Sequence, residues 1–247
     1  MKRTDAFLLL TLAAIPCCAQ TFDLNMGATA SSWNLCVKPL CDPGGTGVPK
    51  ASSATETGTI WPQNSLKLTL TGPAGTNLLA YSYAGATSAA SFASDFYIIL
   101  PTANSTANIQ AVEYDIFQYL SPYRYMFGSQ CVIGANWQIW DALDAQWINT
   151  ALACTFMANN VKHHIQWWVH RIDGDTSCRG YPCMHYDVLG VDGMYTQLNV
   201  TEPAQLLYTG WGNDSGLNMQ IDISGTPTRD VTVTEDISSI NFVQTGG

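Results

Sequence analysis

The sequence predicts an all-β protein, folded as an antiparallel β-sandwich of the jelly-roll type. Short segments of alternating apolar and polar residues, rich in β-branched and aromatic side chains, follow one another along the chain, which is typical of strands. No stretch carries a convincing apolar stripe with the 3.6-residue period of a helix, and 145–156 comes nearest. Many short strands without helices favour two packed sheets.

Turn-forming Gly, Pro, Asn and Ser separate the predicted strands. The first strand, 65–71, alternates strictly between polar and apolar residues. The others, in chain order, are 96–100, 109–119, 123–127, 136–140, 146–149, 162–171, 186–191, 217–223 and 230–234. Residues 20–56 are rich in Gly, Ser, Thr and Pro and predict an irregular lead-in. The sandwich domain is therefore expected over residues 57–247.

The composition excludes several classes of protein. Of the 247 residues only 12% are charged, with 10 Lys and Arg in total and a formal net charge of −9. A nucleic-acid-binding protein needs clustered positive charge, and a disordered chain needs more charge and fewer apolar residues. After the first twenty residues no apolar run approaches the roughly 18–20 residues that span a bilayer. We therefore expect no nucleic-acid partner and no membrane span.

The N-terminus has the pattern of a secretory signal peptide. Lys2 and Arg3 precede the apolar run 6–15, and the small residues 17–19 form a cleavage site before Gln20. Residues 1–19 are thus predicted to be removed and the protein to be secreted, either extracellular or periplasmic. A lipid anchor at Cys17 is the alternative, which the preceding proline disfavours.

Six cysteines remain after the predicted signal peptide, and an even number in an exported chain indicates disulfides. Cys36–Cys41 and Cys178–Cys183 are each five residues apart in segments rich in Gly and Pro, which favours two local pairs. A metal site is the alternative, but the close Cys and His spacings of such sites are missing.

The third predicted pair, Cys131–Cys154, follows from a hairpin between 136–140 and 146–149. Antiparallel partners have a constant sum of residue numbers. Pairing Trp140 with Ala145 gives the same sum as pairing the two cysteines. We therefore expect the cysteines to face each other along one extended ladder, although six cysteines formally allow 15 connectivities.

Two acidic residues lie within the apolar predicted strand 109–119. Residues two apart share one face of a strand, so Glu113 and Asp115 point the same way and Tyr114 and Ile116 the other. Neighbouring carboxylates repel each other, which raises a pKa, and are tolerated mainly at exposed or functional surfaces.

This strand resembles the catalytic strand of laminarinase- and lichenase-type endoglucanases in the concanavalin A-like lectin/glucanase superfamily. The family pattern is Glu-x-Asp-x-x-Glu, which implies that Glu113 is a nucleophile and Asp115 its helper. Gln118 stands where the family has the acid/base glutamate, and an amide cannot supply that proton. Residues 161–171 and 191–193 resemble the laminin-G-like and glucanase versions of the sandwich. The resemblance covers 57–245 and implies a concanavalin A-like sandwich.

The predicted strand 162–171 offers a candidate sugar-binding face. Trp168 is flanked there by Gln166, His164 and His170, and an aromatic plate bordered by hydrogen-bonding groups suits a sugar. The resemblance implies that this face lies on the concave side together with the acidic pair. The alternative is that Trp168 packs under a loop and the histidines are solvated. Further tryptophans are candidate ligand contacts. Trp137, Trp140 and Trp147 of the predicted hairpin could extend this surface, although at least one of them is expected to pack in the core, and Trp211 lies on a predicted loop.

The leading hypothesis is a secreted, lectin-like protein that binds a polysaccharide. One alternative is a divergent glycoside hydrolase. Another is a polysaccharide lyase, with His164 or a tyrosine as base and Arg124 or Arg171 neutralising a uronate. A laminin-G-like adhesion module is a further alternative. No cofactor is predicted, although Asp173 and Asp175 could offer oxygens to Ca²⁺ if their loop is more than an ordinary turn.

Overall fold

The computed structural model describes residues 20–23, 33–37, 51–57, 64–100, 108–154, 161–174, 176–225 and 231–246. These residues form sixteen strands, named here in chain order. They are β1 (Gln20–Asp23), β2 (Asn34–Val37), β3 (Ala51–Thr57), β4 (Asn64–Gly72), β5 (Asn77–Tyr83), β6 (Ser91–Ile99), β7 (Ile109–Leu120), β8 (Tyr123–Val132), β9 (Asn136–Asp141), β10 (Gln146–Ala153), β11 (His163–Ile172), β12 (Cys183–Val191), β13 (Met194–Pro203), β14 (Gln205–Leu206), β15 (Asp214–Ile223) and β16 (Val231–Thr245).

The strands form two antiparallel sheets of eight strands each. The first sheet has the order β13-β12-β11-β6-β16-β4-β3, with β1 paired to β16. The second has the order β10-β9-β8-β7-β15-β5-β2, with β14 paired to β8. The predicted all-β, antiparallel sandwich is confirmed. Strands β5, β13 and β14 had not been predicted, and neither had the three strands before β4.

The core lies between the two sheets and is rich in aromatic rings. Phe96 of the first sheet lies 4.8 Å from Tyr114 of the second, measured between ring centroids. Phe92 and Phe127 meet in the same way at 6.0 Å. Because side chains alternate along a strand, the neighbours of these core residues point away from the sandwich. Each sheet therefore has its own outer face, and the two outer faces lie on opposite sides of the molecule.

A two-residue turn joins β12 to β13. Val191 pairs with Met194, and the residues between them, Asp192 and Gly193, have φ angles of 53° and 80°. Two successive positive φ angles are typical of the type I′ turn that suits the twist of a hairpin. The Asp192 carboxylate also accepts a hydrogen bond from the backbone N–H of His164 at 2.8 Å. The turn is thereby tied to the start of β11.

Two of the predicted disulfides are present, Cys131–Cys154 and Cys178–Cys183, with Cα separations of 5.3 and 5.4 Å. The register that predicted the first of them is wrong. Trp140 pairs with Trp147 rather than Ala145, and the ladder shifts again before Ala153. Cys131 lies in β8, not in an extension of the hairpin, so the pair joins the end of β8 to the residue after β10. Cys36 is disulfide-bonded, and Cys41 lies outside the described residues.

The predicted lead-in contributes to both sheets. Of the region 20–56, the structure describes β1, β2 and most of β3, and these strands pair with β16, β5 and β4. The predicted signal peptide, 1–19, lies outside the described residues. Among the described residues, none forms a helix of the length and apolar character that crossing a membrane requires.

Candidate functional site

A depression of about 370 Å³ lies on the outer face of the second sheet. Side chains from β5, β7, β8, β9, β10 and β15 line it, so it crosses most of the sheet. We call this depression the groove. Its polar and aromatic lining includes Glu113, Asp115, Gln130, Trp140, Trp147, Asn218, Gln220 and Asp222.

The two acidic residues predicted from the sequence lie together in the middle of the groove. Asp115 shares a hydrogen bond with the Glu113 carboxyl group and also bonds Asn218. The backbone N–H of Ser129 donates to Asp115 Oδ1 at 3.3 Å. Burial raises the pKa of Asp115 to about 7, and these hydrogen bonds offset only part of that effect. The acidic pair therefore holds a proton up to near-neutral pH.

A row of amide and carboxyl side chains crosses the groove from strand to strand. Gln220 Nε2 donates to Glu113 Oε2 at 2.6 Å and to Asp222 Oδ1 at 3.0 Å. On the other side of the acidic pair, Gln130 donates to Gln138, which in turn donates to Asn149 at 2.8 Å. The register sets this row, because Asn149, Gln138, Gln130, Glu113 and Gln220 are successive partners across five strands.

Two half-buried tryptophans form one wall of the groove. Trp140 and Trp147 are register partners in the β9–β10 hairpin, with ring centroids 5.0 Å apart. Gly128 separates Trp140 from Asp115. A Cβ atom at Gly128 would lie 2.7 Å from Trp140 Cβ and 3.2 Å from Asp115 Oδ1. The indole wall and the acidic pair approach this closely because position 128 has no side chain.

Gln118, which matches the family's acid/base position in sequence, does not lie in the groove. Strand β7 pairs with β8 without a register shift from Ala111 to Leu120, so Phe117 faces outward and Gln118 inward. The Gln118 amide is buried and donates to the carbonyl oxygens of Thr87 and Ala89 at 2.9 and 3.0 Å. An apolar ring therefore occupies the outward position that follows the acidic pair.

The prediction that the Trp168 face shares a groove with the acidic pair is wrong. Trp168, Gln166, His164 and His170 lie on β11 and point outward from the first sheet, because Ile165, Trp167 and Val169 fill the core. Glu113 and Asp115 point outward from the second sheet. The whole thickness of the sandwich separates the two sets.

The polar groups of the Trp168 face bond to one another. His164 Nε2 and Gln166 Nε2 lie 2.7 and 2.9 Å from the two oxygens of Asp95. The Tyr195 hydroxyl donates to Gln166 Oε1 at 2.7 Å, and the Tyr195 ring lies 5.8 Å from that of Trp168. His170 Nδ1 lies 2.8 Å from Asp187 Oδ2.

The other two candidate tryptophans differ in their surroundings. Trp137 is 1% exposed and packs in the core near Tyr114, which excludes contact with a ligand. Trp211 is 47% exposed and lies 4.8 Å from the ring of Tyr119. It lines a second depression, of about 230 Å³, with Tyr83, Tyr119, Asn213 and Asp214.

The structure does not bring His164 together with either arginine of the lyase alternative, and it describes only one of the two aspartates of the calcium alternative. Asp173 pairs with Arg171 at 3.0 Å, and Asp175 lies outside the described residues. Arg171 is itself buried, while the guanidinium of Arg124 lies over the Tyr208 ring at 4.1 Å. His164, the candidate base, is on the first sheet, whereas Arg124 is on the second. A base and a uronate-binding arginine therefore do not meet at His164 and Arg124.

Sequence analysis did not single out the amides of the groove or Asp222. Asn218, Gln220 and Asp222 occupy alternate positions of β15 and so share the outer face. Their alternate spacing in the sequence predicts a shared face. That this face borders the acidic pair follows only from the pairing of β15 with β7. Gln130 and Gln138 carried no signal of this kind, since their neighbourhood depends on the β8–β9 register.

The fold is similar to that of solved lectin structures. Arcelin-5, a lectin-like defense protein from Phaseolus vulgaris, superposes with a TM-score of 0.50 at 13% identity, over 93% of this chain and 99% of that chain. The basic winged bean lectin, solved with Tn-antigen, gives 0.50 at 12% identity, over 92% and 98% of the two chains. This is a concanavalin A-like sandwich.

The concanavalin A-like fold was the one implied by the sequence resemblance, and that prediction is confirmed. No family model and no curated protein matches the sequence. The sequence identities to the two lectins are only 13% and 12%, so the likeness extends to the fold alone.

Proposed function

We propose that the protein is a secreted carbohydrate-binding protein and that the groove of the second sheet is its binding site. One observation carries the proposal: a pair of adjacent indole rings borders a row of amide and carboxyl groups inside a single depression. This arrangement matches the two kinds of surface that a sugar presents.

Trp140 and Trp147 would contact the apolar face of a sugar ring. The faces of an indole are rich in electron density and attract the weakly positive C–H groups of a pyranose. Glu113, Asp115 and Gln220 would bond the hydroxyl rim, because carboxylates accept hydrogen bonds and amides both donate and accept them. Since the groups already bond one another, a sugar hydroxyl would enter an existing network.

Two further observations support this function. Proteins of the same fold include a lectin-like defense protein and the basic winged bean lectin, which was solved with Tn-antigen. The disulfides Cys131–Cys154 and Cys178–Cys183 fit an oxidising compartment, which agrees with the predicted signal peptide and with export.

The decisive experiment compares two tryptophans on opposite outer faces. Retention on a panel of immobilised neutral polysaccharides would be measured by affinity electrophoresis for the wild type, Trp147→Ala and Trp168→Ala. Trp147→Ala is expected to weaken retention about tenfold or more, as loss of an aromatic anchor does. Trp168→Ala, half-buried like Trp147, is the matched control and should bind as the wild type does.

The opposite result would overturn the assignment of the site. Loss of retention in Trp168→Ala with unchanged retention in Trp147→Ala would place binding on the first sheet. If the wild-type protein is retained by no polysaccharide of the panel and binds no glycan on an array, carbohydrate binding itself is refuted.

A glycoside hydrolase is the second candidate, and one contact favours it. Glu113 and Asp115 share a hydrogen bond, which is closer than the carboxyl spacing of about 5–5.5 Å in retaining enzymes. Glu113 and Asp222 instead accept from the same Gln220 nitrogen, at 2.6 and 3.0 Å. That contact is compatible with the required spacing. Release of reducing ends by the wild type, lost in both Glu113→Gln and Asp222→Asn, would establish hydrolysis; absence of release would leave binding.

A further inference from the structure

A cluster of four aromatic rings, three of them exposed, lies at one end of the second sheet. We call it the aromatic corner, and it consists of Tyr83, Tyr119, Tyr208 and Trp211. Tyr83 is 48% exposed, Tyr208 49% and Trp211 47%. The Trp211 ring lies 4.8 Å from Tyr119 and 5.0 Å from Tyr208. Exposed aromatic side chains gathered at one place typically mark a binding surface.

The aromatic corner and the groove share one face. Tyr119 is four residues beyond Asp115 on β7, in an unbroken register, so both side chains point outward. At about 3.3 Å per residue, about 13 Å separates the two positions. That distance exceeds one monosaccharide ring and fits a short oligosaccharide.

Aromatic rings also cover the stretch between the two depressions. Phe117, the outward residue between Asp115 and Tyr119, stacks on Tyr119 with centroids 5.0 Å apart and meets Tyr83 at 5.6 Å. Tyr81, the register partner of Asn218 at the groove, lies 5.6 Å from Tyr83. Phe117 is itself buried against these tyrosines, so a ligand leaving the groove in this direction would pass over the rings of Tyr83 and Tyr119.

The loop that carries Trp211 is fixed by hydrogen bonds. The Asn213 side chain accepts from the backbone N–H of Ser121 at 2.9 Å, and Asp214 accepts from that of Gly85 at 3.1 Å. The backbone N–H of Trp211 donates to the Tyr208 carbonyl oxygen at 3.1 Å. A fixed loop lowers the entropy lost on binding, because its aromatic rings are already in place.

We propose that the aromatic corner is a second subsite of the groove, and that the ligand is a neutral oligosaccharide chain that contacts both the acidic pair and Trp211. This rests on the proposed function. The lining carboxyl groups argue for a neutral chain. Glu113, Asp115 and Asp222 lie in the groove and Asp214 at the corner, on a protein of net charge −9. These groups accept hydrogen bonds from hydroxyls and repel anionic sugars.

The test is a chain-length series measured by isothermal titration calorimetry. The probes are laminari- and cello-oligosaccharides of two to six units, together with any neutral series that a glycan array identifies. For the wild type, Kd is expected to fall by about tenfold or more between the shortest and the longest binding member, the gain that one added aromatic contact provides. In Trp211→Ala this gain should disappear, while Kd for the shortest member stays within about twofold of the wild-type value.

Tyr195→Ala is the matched control, since Tyr195 is an exposed aromatic residue on the first sheet. It should keep the whole length dependence. Tyr83→Ala provides a second variant at the corner and should reduce the gain in the same way. The melting temperature of each variant shows whether it is folded.

The outcomes separate this inference from the proposed function. A wild-type protein that binds short and long chains equally, or a Trp211→Ala variant that keeps the gain, overturns the second subsite and leaves the groove as a binding site. A wild-type protein that binds no neutral glycan overturns both. Stronger binding of acidic oligosaccharides than of neutral ones contradicts the assigned ligand class.

Discussion

The two outer faces of the sandwich have similar compositions but different shapes. On the first sheet, Trp168 lies beside Gln166, Asp95 and two histidines, and the Tyr195 ring extends over this surface. A Cβ at Gly190 would lie 2.9 Å from that ring and 3.2 Å from Gln166 Cβ. The exposed tyrosine thus occupies the space above the glycine and the amide.

On the second sheet, the tryptophans, amides and acidic residues surround the groove. The glycine there, Gly128, lets the Trp140 side chain and the Asp115 carboxyl approach each other, and the groove of about 370 Å³ remains above them. Both faces have tryptophan, amide and acid at alternate strand positions. A polar-aromatic strand pattern therefore leaves an open depression only where no neighbouring ring closes over it.

The largest effect is expected from Gln118→Glu, which tests which side of β7 carries the groove. The Gln118 amide donates to two backbone carbonyl oxygens in the core, and a carboxyl group cannot replace both bonds. We expect the free energy of unfolding to fall by about 3 kcal/mol or more, as measured by urea denaturation, with no gain of hydrolysis. Gln197→Glu, an exposed change on the first sheet, is the control. Unchanged stability together with new reducing ends would place residue 118 in the groove.

A smaller effect is expected from Gly128→Ala, which compares the glycines of the two faces. The new methyl group would meet Trp140 Cβ at 2.7 Å, an atom next to the main chain that moves only with the strand. The expected cost is about 1–3 kcal/mol of unfolding free energy, with loss of glycan retention. Gly190→Ala is the matched control, because the exposed Tyr195 ring can turn aside. Equal stability losses in the two variants would contradict the difference between the faces.

Features that depend on neighbouring residues in the sequence could be predicted, and features that depend on contacts between distant segments could not. Alternation is local, so the strands around 65–71 and 109–119 could be predicted, and so could the shared face of Glu113 and Asp115. The partners of those residues depend on register and sheet order, which the sequence does not encode locally. The Cys131–Cys154 pair shows this, since it forms although Trp140 pairs with Trp147 and not with Ala145. The sheet that carries Trp168 was likewise decided by chain topology.

The proton held by Asp115 makes the stability of the protein depend on pH, and this dependence can be measured. The pKa of Asp115 is raised from 3.8 to about 7, so the folded protein binds more protons than the unfolded chain between these values. Its contribution to stability therefore falls as pH rises from about 4 to 7 and levels off above that window. Asp115→Asn should gain melting temperature relative to the wild type by a few degrees across the window.

The melting temperatures of the wild type and Asp115→Asn are compared at each pH, because a second buried carboxyl group also makes stability fall as pH rises. Burial also raises the pKa of Glu202 to about 7, but Glu202 is present in both proteins and cancels in the difference. A difference in melting temperature that stays constant from pH 4 to 8 would show that Asp115 does not hold its proton.

The smallest effect is expected from Arg179→Ala, which tests whether the first sheet positions the groove of the second. Arg179 lies in the loop closed by Cys178–Cys183 and pairs with Asp144 in the turn of the hairpin that carries Trp140 and Trp147. Because an exposed ion pair holds the hairpin only weakly, glycan affinity should fall by about two- to threefold, less at high salt. Lys162→Ala, which removes a surface cation over the Tyr97 ring of the first sheet, should leave affinity unchanged. Equal affinities for Arg179→Ala and the wild type at low salt would show that the hairpin holds the indole wall without help from the other sheet.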